Sequence, residues 1–265
     1  VSGAESATNP GQVLEWDKSR GNLEHPIYWG SMLTKAHKRK FQTTEEELAI
    51  VSAKNHKQAM DNPFAYSNEP RTISEVMNSK QITDDLRILD CSRSCSGSSS
   101  ILLASEEKAK IFSDQPIWIT GIGQKTTSAS FTKNILDRIE STRISADFAY
   151  KMAKIEPKNI DVAEVHDAFS VCELMAISEL GIVADNKSGD FVRNLFNTEN
   201  RMINPRGGLI GAGHPLGATG ISQTIEITNQ LQGKSNKRQI SNAKTGLIQN
   251  MSAAGTSSSI MVLEN

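Results

Sequence analysis

At 265 residues the chain has room for two compact domains, or for one domain and part of another. Hydrophobic residues make up 37% and charged residues 22%, and 29 basic side chains face 30 acidic ones for a net charge of −1. That balance excludes the basic excess of a nucleic-acid binder and the polybasic patch of a membrane-surface protein. Cys91, Cys95 and Cys172 are too sparse for a secreted disulfide framework and complete no metal site. With no apolar run of roughly 18 residues and no opening stretch that reads as a signal peptide, a reducing, cytoplasmic setting is expected.

In chain order, Val1-Ser2-Gly3-Ala4 reads as the end of a strand entering a loop. Residues 8–93 are polar and punctuated by Pro10, Pro26, Pro63 and Pro70, with a helix over 43–60 whose start is marked by Thr43 or Thr44 and the acids after it. The basic run Lys35-Ala36-His37-Lys38-Arg39-Lys40 reads as a solvated helix face. Residues 98–104 form a short apolar run read as a strand, and 106–110 a helix. The run 115–121 is a strand bounded by Gly121 and Gly123. Then follow a helix over 145–155, a strand over 161–165, a helix over 171–180 stopped by Gly181, a Gly-rich loop over 204–213, and a helix over 218–231. Strands over 245–249 and 258–263 close the chain. Alternation of strand and helix predicts a layered α/β domain.

Three stretches carry residues with chemistry. Residues 204–220 contain six glycines in seventeen positions around His214, just ahead of a predicted helix. Glycine lets backbone approach a ligand closely, and helix amides favour a developing anion. On residue type alone, His214 is as well explained by a structural role as by a catalytic one. Without a Gly-Lys-Ser/Thr ending the loop is not a P-loop. Glu164-Val165-His166-Asp167-Ala168-Phe169 stands at the carboxyl end of a strand, where α/β sheets bind ligands, although His beside Asp also suits a structural pair. The third stretch is Gln249-Asn250-Met251-Ser252-Ala253-Ala254-Gly255-Thr256.

Taken together these stretches resemble the thiolases. Gly213-His214-Pro215-Leu216-Gly217-Ala218-Thr219-Gly220, preceded by Asn204-Pro205-Arg206-Gly207-Gly208, is similar to that family's GHP signature. The 164–169 stretch resembles the His-Asp form found in the sterol-carrier-type and archaeal branch. The resemblance implies a thiolase-type layered αβαβα fold with its C-terminal core domain complete over 115–265. It places a loop domain over 8–93, and leaves 1–7 and 94–114 as the part of an N-terminal core domain that is present, with Val1–Ala4 and Ser98–Ala104 as strands of a parallel sheet buried on both faces. It makes His214 and His166 the catalytic residues, jointly polarising a thioester carbonyl, with Gly213, Asn250, Ser252 and Gly255 on the substrate side. Coenzyme A is implied as co-substrate, with no metal or redox cofactor.

The sequence departs from the family in two ways. Asn250 stands where ordinary thiolases carry their acid/base cysteine, with Ser252 and Ala253 where they keep glycine. No cysteine has the surroundings of the family's nucleophile; Cys172 reads as a buried structural thiol. The expected activity is therefore acyl transfer on 3-ketoacyl-CoA or acetyl-CoA thioesters, in lipid metabolism, with the nucleophilic cysteine supplied by a second polypeptide bearing the N-terminal half. A zinc-ribbon and OB-fold accessory protein is implied as a further partner by resemblance alone. The rival readings are a thiolase-like aldolase on CoA thioesters, with Tyr28, Tyr66 or Tyr150 as candidate groups, and a non-catalytic partner of an active thiolase.

Overall fold

A computed structural model describes residues 1–5, 25–128, 134–252 and 254–265. Its centre is a four-stranded sheet of order β5-β8-β7-β6, built from β5 (Trp118–Thr126), β6 (Val162–Glu164), β7 (Thr245–Met251) and β8 (Ser257–Glu264). β5 and β7 each pair antiparallel with β8, and β6 pairs parallel with β7. Side chains alternate across the sheet. Ala163, Leu247, Ile260 and Val262 join the larger core under α5 (Glu140–Ala153) and α6 (Ser170–Glu179). Val162, Ile248 and Leu263 join a second core against Ile227 and Leu231 of α9 (Thr219–Leu231). The result is a three-layer α/β/α unit.

Gly121 and Gly123 lie inside β5 rather than at its end, contrary to the sequence reading. A Cβ on Gly123 would strike the carbonyl of Ser145 in α5, so the glycine allows a helix backbone to rest directly on the strand. α5 also begins five residues earlier than expected, and the 204–213 loop holds a short helix, α8 (Gly208–Ala212). Among the described residues two further helices, Ile73–Met77 and Ser188–Thr198, were absent from the sequence reading. α7 (Ser188–Thr198) has Lys187 as its N-cap with no side-chain cap, so its start is marked only weakly, by Asp190 in the first turn.

Before the sheet come α1 (Pro26–Phe41), α2 (Glu45–Ala59) and α3 (Ile73–Met77). α2 begins on the expected Thr44, which accepts from the Glu47 N–H while the Glu47 carboxylate accepts from the Thr44 N–H. α1 presents Lys35, Arg39 and Lys40 to solvent as expected, but turns His37 inward, where it meets Thr43 Oγ1 at 2.8 Å. A small hairpin, β2 (Gln81–Thr83) and β3 (Leu86–Arg87), follows.

β1 (Ser2–Glu5) and β4 (Gly97–Ser100) form a separate two-stranded pair, and α4 (Glu106–Phe112) follows it. The sequence reading expected strands of a parallel sheet buried on both faces. The pair is instead antiparallel, with Ser2 opposite Ser100, and β4 alternates half-buried and exposed. The apolar residues 101–104 lie beyond the strand. The serines of β4 need only one covered face, whereas the apolar run beside them lines a trough described below.

Candidate functional site: two imidazoles at converging loops

His166 is placed by the sheet. Parallel pairing sets Glu164 opposite Ile248, and two residues further each strand reaches His166 and Asn250 on the face that α9 covers. Past the strand end, side chains replace the ladder: Asn204 Oδ1 accepts from the Val165 N–H at 2.8 Å, and Gln249 Oε1 accepts from the His166 N–H at 2.8 Å. Asp167 turns the other way and accepts from the N–H groups of Leu209 (2.6 Å) and Ile210 (3.2 Å) in α8. Gly208, at φ +57°, must be glycine here, because a Cβ would run into that carboxylate.

His214 follows α8. Its N–H donates to the Arg93 carbonyl at 2.8 Å, and its Nδ1 lies 2.7 Å from Thr219 Oγ1 at the start of α9. The two imidazoles meet edge to face, with ring centroids 4.9 Å apart at 88°. Forty-eight positions separate them in sequence, yet the loops converge as the motifs suggested.

The segment that brings these loops together was not singled out in the sequence. Residues 91–95 cross between them, with Cys91 bridged to Phe169 after the first loop and Ser94 bridged to His214 in the second. Ser92 N–H also donates to the Ala168 carbonyl at 2.9 Å. This crossing carries Cys95 to the site: a Cβ on Gly213 would lie 2.8 Å from Cys95 Sγ and 2.9 Å from Cβ of Tyr66. Neither residue stands in a chemistry-bearing motif; Tyr66 was one of three candidate tyrosines, and only the fold reveals Cys95. Cys172 is fully buried in the larger core, where burial pushes its thiol up to about 12. Tyr150 is engaged elsewhere, its hydroxyl donating to the Leu180 carbonyl.

Both histidines are held neutral. Burial pulls His166 down to about 4, opposed in part by the Asn250 side chain acting as a polar partner and reinforced by the Arg206 guanidinium. His214 is pushed well below the ordinary histidine range by burial of most of its ring, then by His166 and Arg206, although one part stays open to solvent. Arg206 is itself anchored, its Nε donating to Glu164 Oε2 at 2.9 Å, and that carboxylate is raised by burial to about 7.

Asn250 belongs to the same cluster, its Nδ2 donating to Gln223 Oε1 of α9 at 2.8 Å. Ser252 and Gly255 lie further round the turn in contacts of their own: Ser252 Oγ meets Thr256 Oγ1 at 3.0 Å, and the Gly255 carbonyl accepts from Ser141 Oγ at 2.6 Å. Of the expected substrate-side residues, Gly213 and Asn250 contact the cluster around the histidines, while Ser252 bonds within its own turn and Gly255 bonds to Ser141 of α5. α9 organises much of this. Thr219, Gln223, Glu226 and Gln230 form a buried polar stripe reaching, in turn, His214, Asn250, Arg238 and the Arg238 carbonyl. Among the described residues no group of three or more His, Cys, Asp or Glu side chains is placed to hold a metal.

Beside the cluster opens a trough of about 1120 Å³, floored by the sheet and walled by α9 and the 101–118 segment. Asn250, Gly217 and Gly220 lie in its lining, with Ile221, Ile225 and Met261 among its apolar residues.

Residues 121–265 match the family model described as "Thiolase C-terminal domain-like". The acetyl-CoA acetyltransferase of Methanothermobacter thermautotrophicus is 36% identical over 251 residues, which are 94% of this chain and 65% of that protein. Sterol carrier protein 2 of Oryctolagus cuniculus is 35% identical over 246 residues, 89% of this chain and 45% of its own length. The chain thus spans less than two thirds of either relative. Among solved structures, an Ltp2-ChsH2(DUF35) aldolase superposes with a TM-score of 0.82 at 21% identity, covering 99% of this chain and 71% of that one. A monomeric SCP2-thiolase-like protein from Mycobacterium smegmatis gives 0.71 at 15% identity, over 93% and 53%. At those identities the likeness is one of fold.

Proposed function

Because the chain belongs to the thiolase family, we propose that it is the two-histidine part of an acyltransferase acting on 3-ketoacyl-CoA or acetyl-CoA thioesters, completed by a second polypeptide that brings the nucleophilic cysteine. The observation that carries this reading is the edge-to-face contact of His166 and His214 at 4.9 Å. Two neutral imidazoles there can share one oxyanion, the preorganised arrangement that lowers the cost of tetrahedral or enolate charge.

Their roles differ. The Thr219 hydroxyl donates its hydrogen to the Pro215 carbonyl, so its oxygen accepts from His214 Nδ1–H. His214 Nε2 then carries the lone pair and takes the proton of an incoming thiol; once protonated, it donates to the oxyanion. His166 has its backbone N–H held by Gln249 and Asn250 beside its ring, and its buried Nδ1 has no partner among the described residues; in the Nδ1–H tautomer it can donate to the thioester oxygen. Neither Cys91, raised to about 12 by burial, nor Cys95, also raised by burial, has the depressed pKa of a nucleophile.

The second polypeptide fits the trough. Its apolar lining lies against the two histidine loops, and a helix laid beside α9 would bury it while presenting a residue near His214. In this reading 115–265 is a complete core domain, 8–93 the loop domain, and 1–7 with 94–114 the contribution to a core the partner completes. An accessory chain of the zinc-ribbon and OB-fold kind is a further candidate, in keeping with the two-protein aldolase that shares the fold. The test is native mass spectrometry of the purified protein beside an acetyl-CoA exchange assay. A cysteine-bearing second chain, with turnover only in its presence, supports the reading. A stable monomer that turns over alone overturns it.

One observation favours a second reading, carbon–carbon cleavage by an aldolase. Asn250 is held by Gln223 where the family keeps its acid/base thiol, and Tyr66 lies against Gly213. Release of an aldehyde from a 3-hydroxyacyl-CoA, lost in Tyr66→Phe, would select it over acyl transfer. Gain of α-proton exchange in Asn250→Cys would select acyl transfer.

A further inference from the structure

Beneath the histidine loops lies a buried polar cluster that the proposed chemistry does not use. It comprises Lys54 and Asn55 of α2, Asp167 after β6, Glu173 of α6 and Asn204 ahead of α8, each no more than 2% exposed. Asn55 Nδ2 donates one hydrogen to Asp167 Oδ2 (2.7 Å) and the other to Glu173 Oε2 (2.8 Å), and its Oδ1 accepts from Lys54 Nζ. Lys54 Nζ also pairs with Glu173 Oε1 at 3.1 Å and donates to the Ile203 carbonyl at 3.2 Å. Asn204 joins from the other side, its Nδ2 donating to Glu173 Oε2 at 2.7 Å while its Oδ1 accepts from Val165 N–H.

The geometry has one pivot. Two buried carboxylates repel, and the proximity of Glu173 adds to burial in raising Asp167. A single planar amide between them supplies both donors and fixes their separation, using its full donor capacity. Asp167 is bonded covalently to His166 and through hydrogen bonds to the first turn of α8, which leads to His214. Asn204 pins the residue before His166. Two routes thus lead from this cluster to the imidazoles: one through Asp167, which Asn55 holds directly, and one through Asn204, which shares the Glu173 carboxylate with Asn55.

We propose that Asn55 is a positioning residue for the two-histidine site, setting the distance between His166 and His214 from a helix outside the domain that carries them. The inference takes its purpose from the acyl-transfer reading, but its test does not depend on that reading.

The test is amide hydrogen exchange and ring-to-ring NMR cross-relaxation on the 265-residue chain, with any polypeptide that co-purifies. In Asn55→Leu the amides of Leu209, Ile210 and Val165 should exchange roughly tenfold to hundredfold faster, the range for carboxylates left without a buried donor. Amides of Leu247 and Val262 in the sheet should change less than about twofold, and the cross-peak between the His166 and His214 rings should vanish. Unchanged exchange at Leu209 and Ile210, or an equal rise at every amide, would overturn the proposal by showing a cluster that is inert or merely stabilising. Should Asn55→Leu fail to fold, Asn55→Ser, whose hydroxyl serves one carboxylate only, should show the same local pattern at smaller amplitude. A uniform or absent response there overturns the proposal equally. Because exchange needs no substrate, a local response in a protein without acyl transfer would uphold positioning while refuting the proposed function, and the reverse pattern would do the opposite.

Discussion

Two helices of similar length show how unevenly this chain is finished. α6 buries every residue except Ser178, between α1, α2, α5 and α7. α4 buries none, and with the segment before it exposes Leu102 (80%), Ile111 (68%) and Phe112 (71%). Sequence accounts for part of the contrast, since four of the seven residues of α4 are charged against two of ten in α6, but it does not explain why Ile111 and Phe112 stay exposed. What differs is cover: α6 sits in a closed three-layer unit, whereas α4 and the 101–104 run border the open trough. Contiguous apolar surface of that kind marks an interaction face. The site lies where the closed region and the open one meet.

The largest effect should come from the histidines, which belong to the closed region but look onto the open one. His214→Ala should abolish acyl transfer in the complete assembly, and His166→Ala should lower kcat by roughly 10²–10³-fold, as for a lost oxyanion donor. Full activity of either variant would detach the site from the contrast. Leu174→Ala, at the centre of α6, should destabilise the chain by about 2–5 kcal/mol in chemical denaturation. A much smaller loss would mean that the closed region is less tightly packed than its burial shows.

A pH comparison sharpens the same point. Burial pulls His166 down to about 4 in the folded chain, against the ordinary histidine value of about 6.5. The unfolded chain therefore takes up the proton first, so this group's contribution is complete above pH 6.5 and is lost as pH falls toward 4. Between pH 7 and 5 that single group should cost about 2 kcal/mol. His166→Asn should remove that part of the acid loss, read as a smaller fall in unfolding free energy between those two pH values. An identical fall would show that the imidazole is not held neutral by burial. The smallest effect is expected in the open region, where Phe112→Ala should change the stability of the chain by no more than about 0.5 kcal/mol. A larger loss would mean that α4 is already covered.

The sequence makes the site's two poles visible because each is a local pattern: a histidine at a strand end, and a histidine in a Gly-rich run before a helix. Their meeting depends on what no local pattern carries. Residues 91–95 look like an ordinary loop return, and their function as a crossing between both histidine loops consists of two bridges to partners 78 and 120 positions away. Cys95 and Tyr66 reach Gly213 by the same long-range route. Gly121 and Gly123 read as strand ends because local logic treats glycine as punctuation, whereas the helix resting on them makes them interior. β1 and β4 read as members of a buried sheet through the family resemblance, but the serines that actually pair form an antiparallel pair with one open side.

The buried polar stripe of α9 has a consequence for how that helix can be seated. An apolar stripe alone tolerates sliding, because one isoleucine resembles the next. Here Thr219, Gln223, Glu226 and Gln230 each have an assigned polar counterpart. A slip of one residue moves each by about 1.5 Å along the axis and turns it by about 100°, so all four pairings fail together and four polar groups are stranded in the core. α9 thus has a single admissible register. The hydroxyl that orients His214 is fixed in the same act that seats the far end of the helix, three turns away.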